Sequence, residues 1–197
     1  MHAVALAEMR PQSEIAVIGV GPIGLSIAQV ARAWGARRIF AIDICDLPLE
    51  IAAKLGIEYR YRADRDDIVG EIQELTEGLG VDVIWDTAGT AETFATAVAL
   101  LAPRGRVINL ATHKTECRLD PTTLGAERYA RSSANYRYEE FPVAIDLMAT
   151  GAVDMDPIIT KRIPLHEISA CMQDLVDKQA SGECKVVVEV GKGRNEP

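Results

Sequence analysis

The sequence predicts an α/β fold, a parallel sheet with covering helices, on the strength of three observations. Short apolar runs with strand character alternate with stretches whose apolar residues recur at three- and four-residue spacing. Gly35, Gly56, Gly78 and Gly105 fall just past helix ends or before strands, where glycine accepts a tight or left-handed backbone most cheaply. The chain has 197 residues, 48% of them hydrophobic and 25% charged, enough for one well-buried core and a small appendage.

Residues 15–19 form a compact apolar run that reads as the first strand, and 22–34 carry the three-four apolar spacing of a helix. Residues 38–43 and 47–55 repeat the pair. The stretch YRYRADRDD, 59–67, is dense in charge; it reads as a solvated lead into a helix over 65–77, with room for one short strand inside it. A strand over 81–86, a helix over 91–101 and a strand over 106–110 follow, with a more weakly marked strand over 128–134. After residue 120 the rhythm changes. DPTTLGAE, 120–127, is a capped short helix and EEFPVAIDLMATG, 139–151, a longer one. DPIITKRIPL, a helix from 166 to about 178 and the terminal strand KVVVEV come next, and the tail GKGRNEP is expected to be disordered.

Composition narrows the function. The formal net charge of −8 argues against nucleic acid and against an anionic membrane surface as partners, since both demand clustered Lys and Arg. No apolar run approaches the roughly 20 residues of a membrane span. The opening MHAVALAEMR contains Glu8 and lacks the order of a signal peptide, so a cytoplasmic location is expected. Cys45, Cys117, Cys171 and Cys184 lie far apart with no CxxC; they are read as buried or idle thiols rather than a disulfide framework or a zinc site. A small molecule is the expected ligand.

Its nature is written in EIAVIGVGPIGLSIAQ, residues 14–29. Gly19 lets the strand turn, Gly21 lets backbone amides approach a pyrophosphate, and Gly24 lets the next helix pack on the sheet, with Pro22 and Ile23 between them. The amides that open this helix face the phosphates, aided by the helix dipole. Asp43 follows Gly24 by 19 residues at the end of the next strand, placed for a ribose. Its carboxylate favours NAD over NADP, because a 2′-phosphate would be repelled and Ile44, Cys45 and Asp46 offer no basic partner. Asp46 and Glu50 add negative charge. Two plainer readings stay open: a purely structural glycine turn, and an Asp43 that merely caps the helix near Leu47.

VIGVGPIGL, VDVIWDTAGT, LLAPRGRVINL, YRYEEFPVAIDLMATGAVDMDPIITKRIPL and KVVVEV, in that order, resemble the medium-chain zinc-dependent alcohol dehydrogenase family. Within it the sorbitol and other polyol dehydrogenases look closest, through NYRY followed by Phe-Pro-Val-Ala-Ile. The resemblance runs over about residues 1–190. It implies a doubly wound, six-stranded Rossmann sheet carrying NAD, a GroES-like domain carrying catalytic zinc, and hydride transfer between an alcohol and the nicotinamide. Residues 1–12 then resemble the linking helix, 13–150 the NAD-binding domain, and 151–197 the extension that completes the zinc domain.

The family's order places the zinc domain first, whereas here the cofactor domain starts almost at once, so the resemblance covers the C-terminal half only. No zinc-ligand motif is present: His2, His113 and His166 have no Cys or carboxylate at ligand spacing. No nucleophile triad or paired carboxylates stand out, and no catalytic residue is assigned. Carried across by position, Thr87, Ala88 and Gly89 match the turn beneath the cofactor, and Asn109, Leu110 and Ala111 the strand end near the nicotinamide ribose. Asn135 and Tyr136 match the segment holding the carboxamide; Arg137 and Tyr138 match a pair facing the polyol, unless Arg137 simply pairs with Glu139 or Glu140 on the surface. Pro48 stands where the family often has a basic residue.

The resemblance thus implies the NAD-binding half of a dehydrogenase, inactive without a zinc domain from elsewhere, and a homodimer. The alternatives are a non-catalytic NAD-binding module that reports redox state or assembles with other chains and, against the GPIG turn, a methyltransferase.

Overall fold

The computed structural model describes residues 1–112, 116–117, 120–177 and 182–190. In chain order they form α1 (His2–Leu6), β1 (Glu14–Ile18), α2 (Pro22–Ala33), β2 (Arg38–Asp43), α3 (Asp46–Lys54), β3 (Tyr59–Arg62), α4 (Ile68–Leu75), β4 (Val81–Asp86), α5 (Ala91–Leu100), β5 (Leu101–Asn109), β6 (Tyr129–Ser132), α6 (Glu140–Ala149), β7 (Ile159–Pro164), α7 (Ile168–Asp177) and β8 (Lys185–Glu189), with short 3-10 turns at Pro121–Leu124, Asp156–Ile158 and Leu165–Glu167.

Six strands make one sheet in the order β3-β2-β1-β4-β5-β6, every neighbouring pair parallel. This is the doubly wound Rossmann arrangement that the sequence implies. A parallel sheet must be covered on both faces, and alternate residues of each strand supply the two cores. Ile15, Val17, Ile39, Ala41, Val83 and Trp85 face one core, with Leu25, Val30, Ile51 and Ala52 of α2 and α3. Ala16, Ile18, Phe40, Ile42 and Ile84 face the other, with Ile68 and Ile72 of α4 and Leu100 of α5. The indole N–H of Trp85 donates to Ala3 O at 3.0 Å, which fastens α1 beneath the first core.

Boundaries shift for local reasons. The short strand allowed within residues 59–67 is β3, and α4 begins only at Ile68, because Asp67 caps it by accepting from Gly70 N at 3.1 Å. Within residues 1–12, expected to be a linking helix, only His2–Leu6 are helical. The weakly marked strand at 128–134 is β6, all four residues exposed on the sheet edge.

The C-terminal strands are not left unpaired. β7 and β8 pair with each other, in parallel, as a separate two-stranded sheet connected through α7. Gln29 of α2 ties this end to the main sheet: its amide donates to Asp154 O at 3.0 Å and accepts from Asp154 N at 2.7 Å. Val153 and Ile158 complete the first core beside it. The expected end of the last helix at Lys178 and the expected disordered tail lie outside the described residues. Among the described residues no helix is long and apolar enough to cross a membrane.

Candidate functional site

The strand order reverses between β1 and β4, since β2 lies on one side of that pair and β5 on the other. At such a switch point the carboxyl ends of the strands diverge and leave a crevice. The cleft there has a volume of about 430 Å³ and is lined by Gly19, Asp43, Ile44, Asp64, Ile68, Thr87 and Ala88 among others.

Gly19, the first residue of the glycine turn, is part of its lining. Gly19 has φ +84°, a left-handed backbone, and a Cβ there would run into Thr87 Oγ1. A Cβ at Gly24 would run into Gly19 O and approach Val17 Cγ1 at 3.0 Å, so the lack of a side chain is what lets α2 sit against β1. Gly21 differs from both. It is the N-cap of α2, and a Cβ built on it meets nothing within 4 Å. The other two glycines answer an internal clash; Gly21 answers none, since its φ is −64° and the space beside it is open.

Asp43 closes the end of β2 beside this turn. Oδ2 accepts from Val20 N and Oδ1 from Cys45 N, at 2.8 and 2.9 Å. The cap position of α3 is Cys45, so Asp43 is not that helix's N-cap. It ties the glycine loop to the strand end. Burial, then the charge of Asp43, pushes the Cys45 thiol above its usual range.

Across the cleft, the turn after β4 is built on a carboxylate that sequence reading passed over. Asp86 is 1% exposed; it accepts from Ala88 N at 3.0 Å, Gly89 N at 2.8 Å and Thr93 Oγ1 at 2.9 Å. Its signal was an acid ending the otherwise apolar run VDVIWD. Thr87 Oγ1 donates to Gly19 O at 2.7 Å and joins the two walls. Leu110 N donates to Asp86 O at 2.8 Å, and Asn109 Oδ1 accepts from Ala111 N at 3.0 Å, extending the rim along β5. Thus Gly19, Asp43, Thr87 and Ala88 line one cleft, while Gly21, Pro22, Ile23, Gly24, Gly89 and residues 109–111 are not part of its lining.

Residues 135–138 lie beyond β6 on the surface. Asn135 has φ +59°, Tyr136 stacks edge-on against Phe141 with centroids 5.0 Å apart, and Tyr138 is 85% exposed. Arg137 makes no ion pair among the described residues; instead its backbone N donates to Glu140 Oε2 at 2.8 Å, while Glu140 Oε1 meets His2 Nδ1 at 2.7 Å. Burial alone would raise the Glu140 carboxyl, but these two partners outweigh it and hold it below the usual range. The His2–Glu140 contact spans most of the chain and left no trace in the sequence pattern.

At the other end, Arg62 closes β3 in register with Asp43. Its guanidinium takes Asp46 at 2.7 Å and Asp64 at 2.9 Å. The hydrogen bond to Arg62 holds the Asp64 carboxyl below its usual range.

Residues 22–150, more than half of the chain, match the family model described as zinc-binding dehydrogenase. The chain belongs to this family. Sorbitol dehydrogenase of Bacillus subtilis is 31% identical over 192 residues, which cover 95% of this chain and 53% of that one. Among solved structures, 2R,3R-butanediol dehydrogenase from Bacillus subtilis superposes with a TM-score of 0.85 at 27% identity over 95% of this chain and 54% of its own. A zinc-binding dehydrogenase-type protein from Sinorhizobium meliloti, solved bound to NADP, gives a TM-score of 0.83 at 29% identity over 95% and 55%. The chain therefore spans about half the length of the zinc-binding dehydrogenases it matches.

The described residues do not fit the family's metal. Among them no group of three or more His, Cys, Asp or Glu side chains is placed to hold an ion. His2 faces Glu140 and His166 lies exposed near Glu167, while His113 is outside the described residues.

Proposed function

We propose that this chain is the NAD-holding part of an alcohol or polyol dehydrogenase. The observation that carries the reading is Gly21, whose missing side chain answers to nothing inside the protein and clears the start of α2 for a pyrophosphate. The amides at that start donate to phosphate oxygens. Asp43, already anchored to the loop by one bond from each side, presents its remaining acceptor capacity to ribose hydroxyls. Ile44 and Ile68 give an apolar seat for the adenine. Residues 87–89 and 109–111 carry the floor toward the nicotinamide, and Asn135 and Tyr136 take its carboxamide. Arg137 and Tyr138, both exposed, face the polyol. NAD, when bound, would supply a hydride acceptor; these residues would hold and orient it.

Among the described residues no group of side chains is placed to hold a metal that would activate a substrate hydroxyl. The residues alone are proposed to bind NAD and to produce no NADH from sorbitol, xylitol or simple secondary alcohols. Assembly as a homodimer through the open edge of β6 is part of the same reading, as is a cytoplasmic location.

Gly21→Ala tests the reading by calorimetric titration with NADH. Loss of one amide contact to a charged group lowers affinity by about tenfold or more, with an unchanged far-ultraviolet spectrum. Unaltered affinity in Gly21→Ala would remove the pyrophosphate from this loop.

A further inference from the structure

Beside the cleft, one strand beyond Asp43, stands a cation that the segment from β2 to α3 does not reveal. Arg62 and Asp43 are partners across the parallel pair of β2 and β3, so the arginine rises at the same level as the carboxylate, one strand away. Ala63 N donates to Asp43 O at 2.9 Å and fixes that register. A guanidinium in this place matches a phosphate in charge and in the fork of its donors. It is not free to do so. Asp46, in the first turn of α3, and Asp64, on the cleft wall, take its two sides, and Asp66 accepts from its backbone N at 2.6 Å. Arg62 is 17% exposed in its side chain, whereas Asp46 and Asp64 are 65% and 47% exposed. Arg65 is the other cation nearby, 64% exposed and 3.8 Å from Asp64. Asp43, Asp46 and Asp64 therefore present a negative rim with the arginine shut behind it.

We infer that Arg62 is a latent phosphate anchor held closed by Asp46 and Asp64, so that these two carboxylates set the choice between NAD and NADP together with Asp43. The inference rests on the nucleotide reading above and adds to it two specificity-determining carboxylates and the cation they cover. A 2′-phosphate brought to this corner must displace a carboxylate from Arg62 before it gains a partner, so it meets repulsion first. Removing the two charges while keeping their shapes turns the same guanidinium toward the ligand.

The experiment compares the chain with Asp46→Asn/Asp64→Asn by titration with NADH and NADPH. The ratio of NADPH affinity to NADH affinity rises by about tenfold or more in the double variant, the worth of a charge-assisted contact to phosphate. Adding Arg62→Gln to that background returns the ratio to near its starting value. A ratio that stays put in the double variant overturns the inference. So does a gain that survives Arg62→Gln, since it would belong to Arg65 or to the mere loss of negative charge. If the unaltered chain binds NADPH as tightly as NADH, the rim does not discriminate and the inference fails while the nucleotide reading stands. If it binds neither, the nucleotide reading fails and takes this inference with it.

Discussion

β1 and β8 are both five-residue strands of mostly apolar residues, EIAVI and KVVVE, yet β1 buries all five residues and β8 buries none. The helices differ in the same way. α2 buries seven of its 12 residues, and α6, EFPVAIDLMA, buries none. Apolar character is shared by both regions; cover is not. β1 lies between two neighbours in a sheet with helices on both faces, whereas β8 has one neighbour and a single helix, α7, leaving Val176 68% and Met172 57% exposed. The main sheet draws its stability from within, and the β7-α7-β8 unit presents surface suited to further packing.

Three substitutions measure that contrast, each by urea unfolding. The largest effect is expected at Trp85, fully buried in the first core and bonded to Ala3 O; Trp85→Ala costs about 3–5 kcal/mol. A loss under about 1 kcal/mol there would mean that the main sheet is not where stability resides. Next is Ile163, the best covered residue of β7 at 3% exposure, where Ile163→Ala costs about 2 kcal/mol. A penalty matching that at Trp85 would erase the distinction between the regions. The smallest effect falls on α7, where Val176→Ser shifts stability by less than about 0.5 kcal/mol. A cost above 1 kcal/mol would show that α7 is already covered in solution, and light scattering on the same sample would reveal by what.

Much of the main sheet was legible because its four central strands, β2, β1, β4 and β5, each carry their own apolar signal, whereas β3 and β6 at the edges do not. The apolar runs at 15–18, 39–42 and 83–85 needed no distant partner to be read, and the glycine turn with Asp43 followed from spacing alone. The pieces that escaped are those made by the fold. Arg62 meets Asp46 only because β3 lies beside β2, so a charged stretch that reads as solvated hides a paired cation. Glu140 meets His2 across 138 positions, and its carboxylate takes that contact and the Arg137 backbone N rather than the Arg137 guanidinium. The pairing of β7 with β8 was also beyond the sequence, since KVVVE reads equally well as a partner for any open edge.

The bond from Trp85 to Ala3 gives the molecule an optical asymmetry. Its two tryptophans occupy opposite environments, Trp85 sealed in the core and Trp34 37% exposed at the end of α2. Iodide in the solvent can reach the second and not the first, so quenched emission isolates the signal of Trp85. Because the indole N–H is bonded to α1, that isolated emission registers whether the N-terminal helix is seated on the sheet, a local undocking that circular dichroism would average away among the other helices.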